Sequence, residues 1–134
     1  MRFLVDTHIL LWSLEDNEKL TIDVRNILED SDNDVFYSTA SVWEVAIKHM
    51  AKPDKMQISG SEMSTQLQNQ GFLMLPVRDI HVKSLETLTR PDTAPSHNDP
   101  FDRFMLAQAK AEKMIFITHD SLISHYGEEC VMIV

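Results

Sequence analysis

Short apolar runs, spaced by stretches of helical periodicity, constrain this chain more than any other feature. Phe3-Leu4-Val5, Val35-Phe36-Tyr37, Phe72-Leu73-Met74-Leu75 and Met114-Ile115-Phe116-Ile117 are unbroken by charge, as strands covered on both faces would be. Cys130 to Val134 reads as a last edge strand. A short helix is expected over Ile9 to Leu14, and another over Thr21 to Asp30, where Leu20, Val24, Ile27 and Leu28 recur at helical spacing. Ser38 to Met50 carries an apolar stripe of Ala40, Trp43, Ala46, Ile47 and Met50, and Pro53 ends it. Ser61 to Gln70 reads as a surface helix capped by Gly71. Asp79 to Leu88 reads as a helix with Ile80, Leu85 and Leu88 inward, Phe101 to Lys113 as a strong helix, and Ser121 to His125 as one helical turn. Strands alternating with helices imply right-handed crossovers. The expected architecture is therefore α/β, a three-layer α/β/α sandwich around a mostly parallel sheet of four to five strands.

A chain of 134 residues fits one domain, spanning 1–134, with a core that needs no disulfide. Cys130 is the only cysteine, which excludes an intrachain disulfide or a thiolate metal cluster and suits a reducing, cytoplasmic setting. No apolar run approaches a membrane span, and Asp6 interrupts the first one too early for a secretory signal. A net charge of -9 lacks the basic footprint usual for nucleic-acid binders. That argument weakens if several of the acids share one cleft, because bound cations then dominate the local field.

Four acids invite that grouping. Asp6 and Asp120 stand at or just past the ends of two apolar runs, where open parallel sheets bind ligands. They meet only if the first and fourth strands are adjacent and parallel. Each also has a plainer reading as a turn former or helix cap, although for Asp6 the neighbouring Thr7 could cap equally well. Glu44 lies at the edge of the Ala40–Met50 stripe, and could instead turn outward or pair with Lys48 or Arg25. Asp102 falls in the middle of the apolar face formed by Phe101, Met105, Leu106 and Ala109. Asp99, ahead of Pro100, is a good N-cap for that helix and a further candidate acid.

Shielded carboxylates at close quarters cannot all stay ionised without a cation. Hard oxygen donors suit Mg2+ or Mn2+. The six histidines show no paired helical spacing, which argues against zinc. Thr7 and Thr118 are placed to orient the acids. Such a cleft suits phosphoryl transfer or phosphodiester hydrolysis, in which metal lowers the pKa of the attacking water and stabilises developing charge. Lys48 and Arg103, with Lys52, Lys55, Arg78, Lys83 and Arg90, are candidates for a local basic rim.

Taken together, four segments resemble the PIN-domain nucleases, and among them the VapC-like toxins of type II toxin-antitoxin systems. They are Leu4-Val5-Asp6-Thr7-His8-Ile9-Leu10-Leu11-Trp12, Ser41-Val42-Trp43-Glu44-Val45-Ala46-Ile47-Lys48, Asp99-Pro100-Phe101-Asp102-Arg103 leading into Leu106-Ala107-Gln108-Ala109, and Thr118-His119-Asp120. The resemblance covers essentially the whole chain. It implies a PIN-like fold, Asp6, Glu44, Asp102 and Asp120 as a metal-binding catalytic quartet, and a Mg2+/Mn2+-dependent endoribonuclease. It also implies growth inhibition, a homodimer, and neutralisation by a cognate antitoxin. Two other readings stand beside it. A phospho-acceptor, receiver-like domain also gathers acids at strand ends, but it needs an Asp and a Lys where this chain has Tyr37-Ser38 and Pro76. A binding module would use the same acids only as caps.

Overall fold

A computed structural model describes all of Met1–Val134. β1 (Arg2–Val5) lies at the centre of the sheet, with β2 (Asp34–Ser38) on one side and β4 (Ile115–Thr118) on the other. Both pairings are parallel, and Val5 stands level with Tyr37 and Ile117. β3 (Leu73–Leu75) adds beyond β2 and β5 (Val131–Ile133) beyond β4, so the order is β3-β2-β1-β4-β5 and every pair is parallel. The adjacency of the first and fourth strands, on which a shared cleft depends, is present.

The helices are α1 (Thr7–Glu15), α2 (Ile22–Glu29), α3 (Thr39–Ala51), α4 (Gly60–Asn69), α5 (Asp79–Leu85) and α6 (Pro100–Glu112), with a 3-10 turn over Ser121–Tyr126. Strand alternation divides the core between two faces. Phe3, Val5, Val35, Tyr37 and Ile117 pack with Ile9, Leu10, Val24, Met63 and Leu67 on one side. Leu4 and Phe116 pack with Met105, Leu106, Ala109 and Ile123 on the other. Burial on both faces explains why these strands read as unbroken apolar runs. The result is a central parallel sheet flanked by helices, as the sequence predicts.

Two helices present a different face from the one their apolar residues predict. In α3 the buried residues are Ala40, Ser41, Glu44 and Val45, whereas Trp43, Ile47 and Met50 are 61%, 45% and 83% exposed. The neighbours of α3 decide this. Gly60 of α4 approaches so closely that a Cβ there would stand 2.8 Å from the Val42 carbonyl oxygen. On the cleft side, Ser41 and Glu44 turn in to meet the Thr7 hydroxyl. In α5, Ile80 is exposed and His81 is fully buried, because the imidazole is tied to Glu112 and Gln108 of α6. A periodicity count cannot see a polar residue that earns its place inside through hydrogen bonds.

Candidate active site

The β1–α1 junction sets the first acid. Asp6 is 1% exposed, and its two carboxylate oxygens have separate tasks. Oδ1 accepts the Ile9 main-chain N–H at 3.0 Å and so caps α1. Oδ2 accepts from the Thr118 hydroxyl at 2.5 Å and from the His119 N–H at 2.9 Å. Asp6, not Thr7, is therefore the cap, and its other oxygen is held by the end of β4. Burial raises the pKa of Asp6, against the lowering pull of those three hydrogen bonds and of nearby His8.

Thr118 joins the two strand ends. While its hydroxyl donates to Asp6, its oxygen accepts the Asp120 N–H at 3.0 Å. Asp120 Oδ1 accepts the Leu122 N–H at 3.0 Å and caps the 3-10 turn. Its Oδ2 lies 2.7 Å from Nε2 of His97, a buried imidazole whose Nδ1 lies 2.9 Å from the Tyr126 hydroxyl. His97 has no counterpart in the sequence reading. It stands in an irregular segment with no periodicity to mark it as buried.

Glu44 is 2% exposed on the inward face of α3. Thr7 donates to its Oε1 at 2.6 Å, and Lys48, one turn on, donates to its Oε2 at 2.6 Å. Lys48 thus pairs with Glu44, while Arg25 pairs with Asp16. Of the other basic residues, Lys83 pairs with Asp79 and Arg78 approaches Glu112. Arg103 lies at the edge of an apolar groove with Trp43 and Phe104.

Asp102 sits in the first turn of α6, with Asp99 as the N-cap accepting from the Phe101 and Asp102 N–H groups at 2.9 and 3.2 Å. Its own carboxylate is 5% exposed, and no hydrogen bond lowers its pKa. Burial first, then the charges of Asp6, Asp99, Glu44 and Asp120, push that pKa up to about 9. Asp6, Glu44, Asp120 and Asp99 are therefore all near enough to act electrically on Asp102. No three Asp, Glu, His or Cys side chains are drawn in tightly enough to hold a metal ion as they stand. Mutual repulsion opposes any closer approach. An all-oxygen set whose central member lacks a donor matches what a hard divalent cation would satisfy.

A family model for the PIN domain matches residues 3–129. The chain belongs to the PIN-domain family. PIN domains are generally nucleases and typically use a divalent metal. The fold is similar to a chain in the crystal structure of VapBC2 from Rickettsia felis bound to a DNA fragment from their promoter. That likeness has a TM-score of 0.70 at 15% identity and covers 100% of this PIN domain and 98% of that chain. No curated protein matches by sequence. No helix of this PIN domain is long and apolar enough to cross a membrane.

Proposed function

We propose that this PIN domain is a Mg2+- or Mn2+-dependent endoribonuclease of the VapC kind, a growth-inhibiting toxin held in check by a cognate antitoxin. The observation that supports it most is Asp102, a buried carboxyl with no lowering hydrogen bond and four acids acting on it. A purely structural site would pair that group or replace it with an apolar side chain.

Asp6, Glu44, Asp102 and Asp120 would hold the cation, which when bound supplies an activated water and positive charge for the leaving oxygen. Asp6 is held by Thr118 and the His119 N–H, so its orientation is fixed before any ligand arrives. Thr7 holds Glu44 in the same way. Asp99 serves as the cap that fixes the start of α6 and adds negative charge beside Asp102. Lys48 balances Glu44 and, half-exposed, can also reach a substrate phosphate, as can Arg103 at the rim. Trp43, Ile47 and Met50 form an exposed apolar face of the kind that docks another protein, whether the antitoxin or a second copy in a homodimer.

The test is direct. Purified protein should cleave RNA in Mn2+ or Mg2+, stop in chelator and resume when the cation is restored. Cleavage that persists in chelator, or in Asp6→Asn, would overturn the assignment.

A further inference from the structure

The long irregular segment between α5 and α6 contributes a residue that no motif marks. His97 is buried, with Asp120 Oδ2 at 2.7 Å from Nε2 and the Tyr126 hydroxyl at 2.9 Å from Nδ1. Tyr126 is itself partly fixed from the other side, since the Arg90 guanidinium lies over its ring, 5.5 Å from the centroid. Both ends of the 90–99 segment are thereby fastened to the 3-10 turn that follows Asp120.

The proton arrangement follows from the partners. A carboxylate accepts and does not donate, so the 2.7 Å contact requires a proton on Nε2. With that proton in place, the neutral ring has a lone pair on Nδ1, and the Tyr126 hydroxyl donates to it. In that tautomer every group in the chain Tyr126, His97, Asp120 has a partner. A carboxylate offers about four acceptor positions. His97 and the Leu122 N–H occupy one on each oxygen of Asp120, leaving one on each for a cation.

We propose that His97 is a positioning residue for Asp120. It fixes the rotation of the carboxylate from a buried ring, and Tyr126 fixes the tautomer of that ring. Partners of this kind, standing behind a metal ligand, typically change metal affinity or activity by about 10- to 100-fold when removed. The proposal rests on Asp120 being a metal ligand, as set out above.

Calorimetric titration of the full chain with Mn2+ alone tests it. His97→Ala should weaken Mn2+ binding by about 10- to 100-fold. His97→Gln, whose terminal amide reaches a position close to Nε2 and still donates, should bind within about threefold of the parent, because the contact to Asp120 survives. Tyr126→Phe should fall between the two. Thermal melts without metal report how far each variant is destabilised. A loss that followed melting temperature and not the donor at Asp120 would overturn the proposal, as would equal Mn2+ affinity in His97→Gln and His97→Ala. Should His97→Ala fail to fold, Tyr126→Phe and His97→Gln still decide: binding below the threefold limit in His97→Gln sinks the idea. Asp120→Asn separates the two readings. If it leaves Mn2+ binding unchanged, the metal-site assignment fails. If it weakens binding while His97→Ala does not, only the role of His97 fails.

Discussion

Two buried polar clusters lie in this protein, and they are built in opposite ways. Between α5 and α6, His81 is fully buried and every polar atom around it has a partner. Its Nδ1 accepts from the Arg78 N–H at 3.0 Å and from Gln108 Nε2 at 3.2 Å, and its Nε2 donates to Glu112 at 3.0 Å. Gln108 Oε1 in turn accepts from Ser38, whose oxygen accepts the Ala40 N–H at the start of α3. At the acid cluster, Asp6 and Glu44 are just as well held, but the Asp102 carboxyl accepts no hydrogen bond and meets the charges of Asp6, Asp99, Glu44 and Asp120. A satisfied network stabilises one arrangement of the chain. An unsatisfied buried charge opposes folding and persists where a ligand compensates it. The two clusters differ not in burial but in whether the groups inside accept hydrogen bonds from one another.

Removing one member from each cluster gives the sharpest contrast. Asp6→Asn retains a good cap for α1, so the fold should survive. Metal-dependent RNA cleavage should drop at least about a hundredfold, since removing a direct ligand exceeds the effect of removing a group behind one. Single-turnover cleavage with saturating Mn2+ measures this. His81→Ala should do the reverse. It strands Gln108, Glu112 and the Arg78 N–H, for a loss of about 2–4 kcal/mol in urea denaturation. The fraction that remains folded should cleave RNA normally. If His81→Ala spared stability and removed activity, the contrast between the clusters would collapse.

The sheet was legible because its strands are buried on both faces and so read as short apolar runs without charge. Asp102 was also legible, since a carboxylate between Phe101, Met105 and Leu106 breaks an otherwise apolar face. Glu44 was only half visible. The stripe of Trp43, Ile47 and Met50 marks the face of α3 that stays outside, so the residue assigned to its edge is in fact at the centre of the inner face. Apolar content points inward only when nothing else competes for the position, and here Gly60 and Thr7 choose the face. His81 and His97 were hidden for a related reason. Each is held inside by partners distant in sequence, Glu112 and Asp120, and pairings of that range leave no local pattern.

The unmet charge at Asp102 should show itself as a pH dependence. Its carboxyl titrates near 9 in the folded chain against about 4 in an unfolded one. Between those values the folded state binds the extra proton, so metal-free stability should fall as pH rises from about 4 towards 9. Asp102→Asn removes that proton linkage and should flatten the slope. At pH 7 in chelator the lost linkage should raise stability by roughly 4 kcal/mol, with activity lost. Denaturation at pH 5, 7 and 9 checks both statements.

The smallest effect is expected at Lys48, the one cationic partner within the acid cleft. Its ammonium is half-exposed and 2.6 Å from a Glu44 carboxylate that is almost fully buried. Exposure of the lysine end keeps such a pair weak, so Lys48→Met should change metal-free stability by less than about 1 kcal/mol. Lys48 and a cation compete for the same Glu44 oxygen, so the substitution should tighten Mn2+ binding about threefold, in line with the loss of a weak competing pair. Calorimetry separates this from a role in holding RNA: unchanged Mn2+ affinity with a raised KM would place Lys48 on the substrate. In the His81 cluster no partner can be exchanged for a ligand in this way, because each one is itself buried or bonded onward. An internal cation that is replaceable at little cost, beside an acid surrounded by like charges, is what the proposed metal site requires.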